Sequence, residues 1–184
     1  MAIEMTPLQD AFIFIPKVFG DERGYFFESF NRQQFEEESG ITVAFVQDNQ
    51  ARSVKNVLRG LHFQYEPYAQ AKLVRVLHGS IWDVIVDIRK SSPTYGQWFG
   101  IELSDENHKQ LFVPKGFAHG YSVLSDSAEV FYKCDAYYHK EAESGILYHD
   151  PALAIDWKIS LQEAIVSGKD REQNSWMPEQ CYFQ

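Results

Sequence analysis

Apolar residues recur at every second position through much of this chain, in short runs closed by glycine, proline, serine, asparagine or aspartate. Residues 11–19 form an apolar run interrupted by Pro16, which predicts an edge strand or two short strands meeting at a bend. Asp21-Glu22-Arg23-Gly24 reads as a turn into the aromatic, strand-like residues 25–30. Asn31 followed by Gln34, with Gly40 as the stop, predicts a short capped helix. Residues 41–46 are β-branched and read as a strand, and Gln47-Asp48-Asn49-Gln50 as a polar break after it. Residues 73–77 and 81–88 flank His78-Gly79-Ser80, as residues 121–124 and 129–134 flank Ser125-Asp126-Ser127; both patterns predict hairpins. Within 81–88, Trp82, Val84, Val86 and Ile88 share one side. Ile81, Asp83, Ile85, Asp87 and Arg89 share the other, which faces water or a polar pocket. Residues 98–103 and 111–113 add two more strands.

Helical segments between strands, which would build a parallel sheet, are missing. The chain therefore reads as mainly β, an antiparallel sandwich or barrel, with a few short peripheral helices. The helices come from Asn31 and from two capping boxes, Ser160-Leu161-Gln162-Glu163 and Ser167-Gly168-Lys169-Asp170. Without a repeat, linker or low-complexity tract, residues 1–184 are expected to form one domain.

Charge and cysteine content narrow the function classes. A formal net charge of -9 argues against nucleic acid or anionic membrane as partner, so any anion site must be built from selected Arg and Lys residues. Cys134 and Cys181 lie far apart, without zinc-ligand spacing, which fits a reducing cytoplasm. No basic leader and no apolar run of about 18 residues is present, so a soluble, unprocessed protein is expected.

The candidate chemistry centres on Arg59-Gly60-Leu61-His62-Phe63-Gln64 and on Lys72. Two cations and an imidazole among apolar residues make unpaired burial costly and a ligand plausible, although a lone strand histidine also reads as a hydrogen-bonded core residue. Pro114-Lys115-Gly116-Phe117-Ala118-His119 resembles the second motif of cupins, which are jelly-roll barrels. A metal-binding cupin would carry a His-x-His pair followed by Glu; here Gln64 stands two residues after His62, and Tyr68 and Ala69 supply no carboxylate. Two histidines alone are too few ligands, so no metal and no cofactor is expected.

Together, several stretches resemble the dTDP-4-dehydrorhamnose 3,5-epimerase family, in family order across nearly the whole chain. They include residues 19–24, 27–31, 47–49, 58–62, 72–76, 83–87, 114–120 and 167–170. The resemblance implies a cupin-like jelly roll acting on dTDP-4-dehydro-6-deoxy-D-glucose in the cytoplasm as a homodimer, with an N-terminal strand that pairs with the partner. In this chemistry the C4 ketone acidifies the hydrogens on C3 and C5. A base removes each proton, an enolate forms, and an acid returns a proton to the opposite face without a redox cofactor.

By the same resemblance, His62 is the base and Asp170 fixes its tautomer. Lys72 stabilises the enolate, and Tyr132 returns the proton. Arg23, Arg59 and Lys169 would hold the diphosphate end, with Gln47, Asp48, Asn49, Glu28 and Glu143 meeting sugar or base edges. Phe19 and Phe26 are candidates for stacking on thymine, and His119 and Asp83 complete the pocket. Each assignment has a plainer counterpart: Asp170 would cap a helix, Lys72 would cover apolar surface with its stem, and Tyr132 would be a core tyrosine. After Asp170 the residues up to Pro178 are more numerous and more polar than the family pattern. The rivals are a relative that inverts one carbon only and a non-catalytic jelly roll that binds sugar nucleotides.

Overall fold

The structure, a computed structural model, describes residues 2–184. Its strands, in chain order, are β1 (Ala2–Met5), β2 (Phe12–Ile15), β3 (Phe19–Asp21), β4 (Gly24–Phe26), β5 (Gln47–Val54), β6 (Val57–Gln64) and β7 (Lys72–His78). There follow β8 (Ser80–Asp87), β9 (Trp98–Ser104), β10 (Gln110–Val113), β11 (Phe117–Val123), β12 (Ser127–Cys134), β13 (Glu143–Gly145) and β14 (Ile165–Val166). One sheet runs β1-β2-β10-β7-β12-β5 and the other β13-β6-β11-β8-β9. Their neighbours are antiparallel, β14 adds to β6 in parallel, and β3 with β4 forms a separate hairpin.

The strand runs expected from alternation are present, but the connections differ. β7 and β8 are not a hairpin across His78-Gly79-Ser80, because β7 pairs with β10 and β12 while β8 pairs with β11 and β9. β11 and β12 likewise leave Ser125-Asp126-Ser127 for opposite sheets. Both turns are corners of a jelly roll, and they lock together: Ser125 Oγ accepts from Ser80 N at 2.8 Å and donates to Ser127 O at 2.8 Å.

Crossing between sheets buries both sides of β8. Ile81 and Ile85 join Val74, Val76, Leu111 and Val130 between the sheets. Val84, Val86 and Ile88 pack outward beneath Trp157, Trp176, Tyr182 and Phe183 of the C-terminal segment. Asp83 and Asp87, on the same side as Ile81 and Ile85, are therefore fully buried, so that side faces the interior and not water, with Asp83 bonded to His119 and Asp87 to Arg89, Ser92 and Thr94.

α1 (Arg32–Ser39) begins with Asn31, whose side chain accepts from Gln34 N at 3.3 Å, and ends at Gly40 in the left-handed region. It buries Phe35 against Phe12, Phe14 and Phe112; truncation of such a residue costs about 3–5 kcal/mol. Residues 41–46 are not a strand: Ile41, Val43 and Phe45 pack against the same cluster as irregular chain. The polar segment from Gln47 is the start of edge strand β5, not a break, and strand pairing after the 21–24 turn ends at Phe26. Ser160 to Glu163 closes a turn without a helix, whereas Ser167 does cap the single-turn α2 (Gly168–Arg171). Among the described residues no helix is long and apolar enough to cross a membrane.

Candidate active site

The site begins with a fault in the ladder between β6 and β11. His62 pairs with His119 and Arg59 with Tyr121, so Gly60 and Leu61 oppose Gly120 alone, as in a β-bulge. Gly60 has φ 125°, and a Cβ there would sit 2.5 Å from Gly120 Cα, so glycine is required. The bulge frees the Gly60 N–H to donate to Asp170 Oδ2 at 3.3 Å. It also lets Arg59 and His62 line the same pocket despite their odd spacing.

Asp170 is held at the start of α2, where its N–H donates to Ser167 Oγ at 3.1 Å, and only 3% of its surface is exposed. Its Oδ1 lies 2.6 Å from His62 Nε2. Burial raises the Asp170 carboxyl, but His62, Gly60 and Ser167 outweigh it and hold the group below the ordinary carboxylate range. Asp170 is thus an anion that accepts Nε2–H, which leaves Nδ1 as the free ring nitrogen of a neutral His62.

Across the interior stand residues of the other sheet. A pocket of about 370 Å³ is lined by His62 and Glu143 from one sheet and by Gln47, Asn49, Lys72 and Tyr132 from the other. A deeper recess of about 140 Å³ shares His62, Lys72 and Tyr132 and adds Arg59, His119 and Tyr121. Lys72 Nζ lies 5.9 Å from the Tyr132 ring centre. Burial pushes the ammonium of Lys72 down, partly offset by Cys134, Asp83 and Glu143. Burial also pushes the Tyr132 phenol up to about 12, reinforced by Cys134, so it remains protonated at neutral pH.

Asp83 sits behind His119, with Oδ1 2.8 Å from Nε2. Lys169 pairs with Glu143 at 2.5 Å and lines, with Arg59, His62 and Asp170, a flanking groove of about 410 Å³. Burial raises Glu143, yet Lys169 and Tyr138 hold it below its usual value. Other expected residues stand apart. Asp48 points away between Gln47 and Asn49, as alternation on β5 requires, and accepts from Lys133 at 3.0 Å. Arg23, Phe19 and Phe26 lie exposed on the β3–β4 hairpin, Arg23 bound to Asp21, while Glu28 accepts from Asn31 and Gln34. Within one chain, none of these five lines the His62 pocket.

Sequence reasoning passed over Tyr138, Gln64, Gln70 and Tyr121, which also line the pocket or its recess. The signal for Tyr138 was an aromatic pair, Tyr137-Tyr138, in a turn after a strand, where no core calls for it. A first-row metal does not fit here. A carboxylate on Nε2 of His62 and of His119 leaves the other ring nitrogen of each able to ligate, but two such donors are too few, and the amide of Gln64 is spent on backbone groups. Among the described residues no three His, Cys, Asp or Glu side chains are grouped to hold one.

A family model described as dTDP-4-dehydrorhamnose 3,5-epimerase matches residues 5–177. The chain is 56% identical over 170 residues to the enzyme of that name from Shigella flexneri, covering 92% of this chain and 93% of the relative. It superposes on the crystal structure of dTDP-4-dehydrorhamnose 3,5-epimerase from Elizabethkingia anophelis with a TM-score of 0.92 and 50% identity, covering 96% of each. The Legionella pneumophila dTDP-6-deoxy-D-glucose-3,5-epimerase, solved in complex with dTDP-4-keto-L-rhamnose, matches with a TM-score of 0.90 and 52% identity over 94% of this chain and 91% of that one. With this fold, and with His62 and Tyr132 across one pocket, the chain belongs to the dTDP-4-dehydrorhamnose 3,5-epimerase family.

Proposed function

We propose that this chain inverts C3 and C5 of dTDP-4-dehydro-6-deoxy-D-glucose, giving dTDP-4-dehydro-L-rhamnose, with no cofactor. The observation that carries the residue roles is the placement of His62 and Tyr132 on facing sheets around one pocket. A base and an acid on opposite walls are what inversion needs, since a proton leaves one face of the sugar and another arrives on the other. Nδ1 of His62 takes the proton, and Asp170 stabilises the imidazolium. Lys72 neutralises the enolate oxygen at C4. Tyr132 then protonates the carbon, and its phenolate is eased by Arg59, the nearby cation that favours that form. Arg59 and Lys169, along the flanking groove, suit the diphosphate, and Gln47, Asn49, Glu143 and His119 suit the sugar.

The same reading takes residues 1–184 as one domain working as a cytoplasmic homodimer. The exposed edge strand β1 and the exposed aromatic hairpin with Arg23 support it, being surfaces one chain leaves uncovered. Turnover in heavy water tests the activity: two deuterons per product, one at C3 and one at C5, are expected. Label at one carbon indicates a single-site epimerase, and no label indicates a binder.

A further inference from the structure

We propose that Tyr121 relays a proton to Tyr132 between the two inversions, through water held in the recess of about 140 Å³, so that both carbons invert before the sugar leaves. The need follows from counting protons. In the first inversion a C–H bond breaks and its proton goes to Nδ1 of His62, while the O–H of Tyr132 breaks and its proton goes to carbon. What remains is an imidazolium on one wall and a phenolate on the other. The second inversion needs a neutral imidazole and a phenol again, so one proton must cross while the sugar fills the pocket of about 370 Å³.

The recess offers the path, since His62, Tyr121 and Tyr132 all line it. Tyr121 is 4% exposed and stands on β11, in the His62 sheet, yet its hydroxyl comes near Ser53 on β5, in the sheet that carries Tyr132. That contact is not a well-formed hydrogen bond, and Ser53 Oγ already accepts from Arg59 Nε at 3.1 Å. Tyr121 Oη is thus a buried polar atom without a partner among the described residues. Asp83 Oδ2 is another, on the residue that pairs with Tyr121 across β8. Buried polar groups of this kind are ordinarily satisfied by ordered water, and a polar recess of this size has room for it. Burial raises the Tyr121 phenol more than Ser53 and Arg59 lower it, so the hydroxyl keeps a proton to donate at neutral pH. The Tyr132 phenol, pushed up to about 12, leaves a phenolate that takes it. The steps balance: imidazolium Nδ1–H donates to the recess water, the water donates to Tyr121 Oη, and the Tyr121 O–H donates to the phenolate. Each hop breaks one bond to hydrogen and forms another, and both walls end neutral. In heavy water the deuteron that reaches Tyr132 is the one Tyr121 already held, so both carbons still take up solvent label.

The relay rests on the double inversion, which labelling by the wild-type protein tests separately: label at one carbon strikes that reading, whereas label at both leaves the relay to its own test. Tyr121→Phe removes the oxygen alone and leaves the ring in its core cluster. With substrate in excess, the first turnovers are quenched, singly and doubly inverted sugars are separated, and melting is followed in parallel. Wild type should release chiefly doubly inverted sugar. Tyr121→Phe should raise the ratio of singly to doubly inverted sugar by about tenfold or more, less than the about 10²–10⁴-fold of a full acid–base group because water can enter the place of the hydroxyl. Its melting should match wild type, since the hydroxyl has no protein partner to lose. An unchanged ratio in the folded variant would overturn the relay, as would equal slowing of both inversions with lowered melting. If Tyr121→Phe does not fold, wild type decides: singly inverted sugar as its main early product overturns a reset before release, and doubly inverted sugar supports it.

Discussion

Replacing Asp170 by asparagine isolates what its charge contributes, since the side chains are nearly isosteric and the backbone N–H can still reach Ser167 Oγ. Two N–H donors converge on the carboxylate, His62 Nε2 at 2.6 Å and Gly60 N at 3.3 Å, but asparagine offers one acceptor oxygen. Either Gly60 loses its partner, or the amide NH₂ faces His62 and moves the ring proton to Nδ1, the atom that must be free. A charge-assisted hydrogen bond contributes about 1.5–3 kcal/mol, and about 1.36 kcal/mol is tenfold in rate. Loss of imidazolium stabilisation alone therefore lowers kcat about 10–10²-fold, and a reversed tautomer lowers it further. The assay is stopped-time conversion of the 4-keto sugar, with melting followed in parallel. Asp170 has a depressed folded-state value, so its stabilisation is complete above the ordinary carboxylate pKa of about 3.9 and is lost as pH falls through the lower folded value. The melting gap between wild type and Asp170→Asn should be full at neutral pH and should narrow below about pH 4. A folded variant with kcat within twofold of wild type would refute the dyad.

Arg59→Ala should weaken dTDP binding by about tenfold or more, since a protein of net charge -9 repels the anion unless local cations compensate; calorimetry checks this. Gly60→Ala, which brings a Cβ within 2.5 Å of Gly120 Cα, should destabilise by more than about 1 kcal/mol and lower activity together with stability in denaturant titrations. Turnover should survive exhaustive chelation, and restoration by zinc or iron of an activity lost to chelator would contradict the donor-set argument.

Part of the candidate site was legible because it is local in sequence, whereas the pairing of His62 with Asp170 and the role of Tyr132 came only through the family resemblance. Arg59, Gly60 and His62 sit on one strand, and Ser167 announces the turn that carries Asp170. The corners were not legible, because alternation reads the same whether two strands meet across a hairpin or part to opposite sheets at Gly79. Strand β5 was hidden by its polar sequence, which an edge strand with one face in a pocket permits. Residues 41–46 have β-branched propensity but pair with no strand, and Ile41, Val43 and Phe45 pack instead against the Phe35 cluster. Gln64 looked only like a missing metal ligand, because its bonds run to loops whose approach depends on the completed barrel.

The central claim is that base and acid work from opposite walls of one pocket, and solvent deuterium exchange in His62→Ala and Tyr132→Phe tests it most directly. His62→Ala removes the imidazole that Asp170 holds, so exchange and inversion should both fall by at least about 10²–10⁴-fold. Tyr132→Phe leaves that base in place, and the enolate can still form and recapture a deuteron on its original face. Exchange into unreacted substrate should therefore outlast net inversion. Equal loss of exchange in both folded variants, or full epimerase activity in folded His62→Ala, would contradict the account.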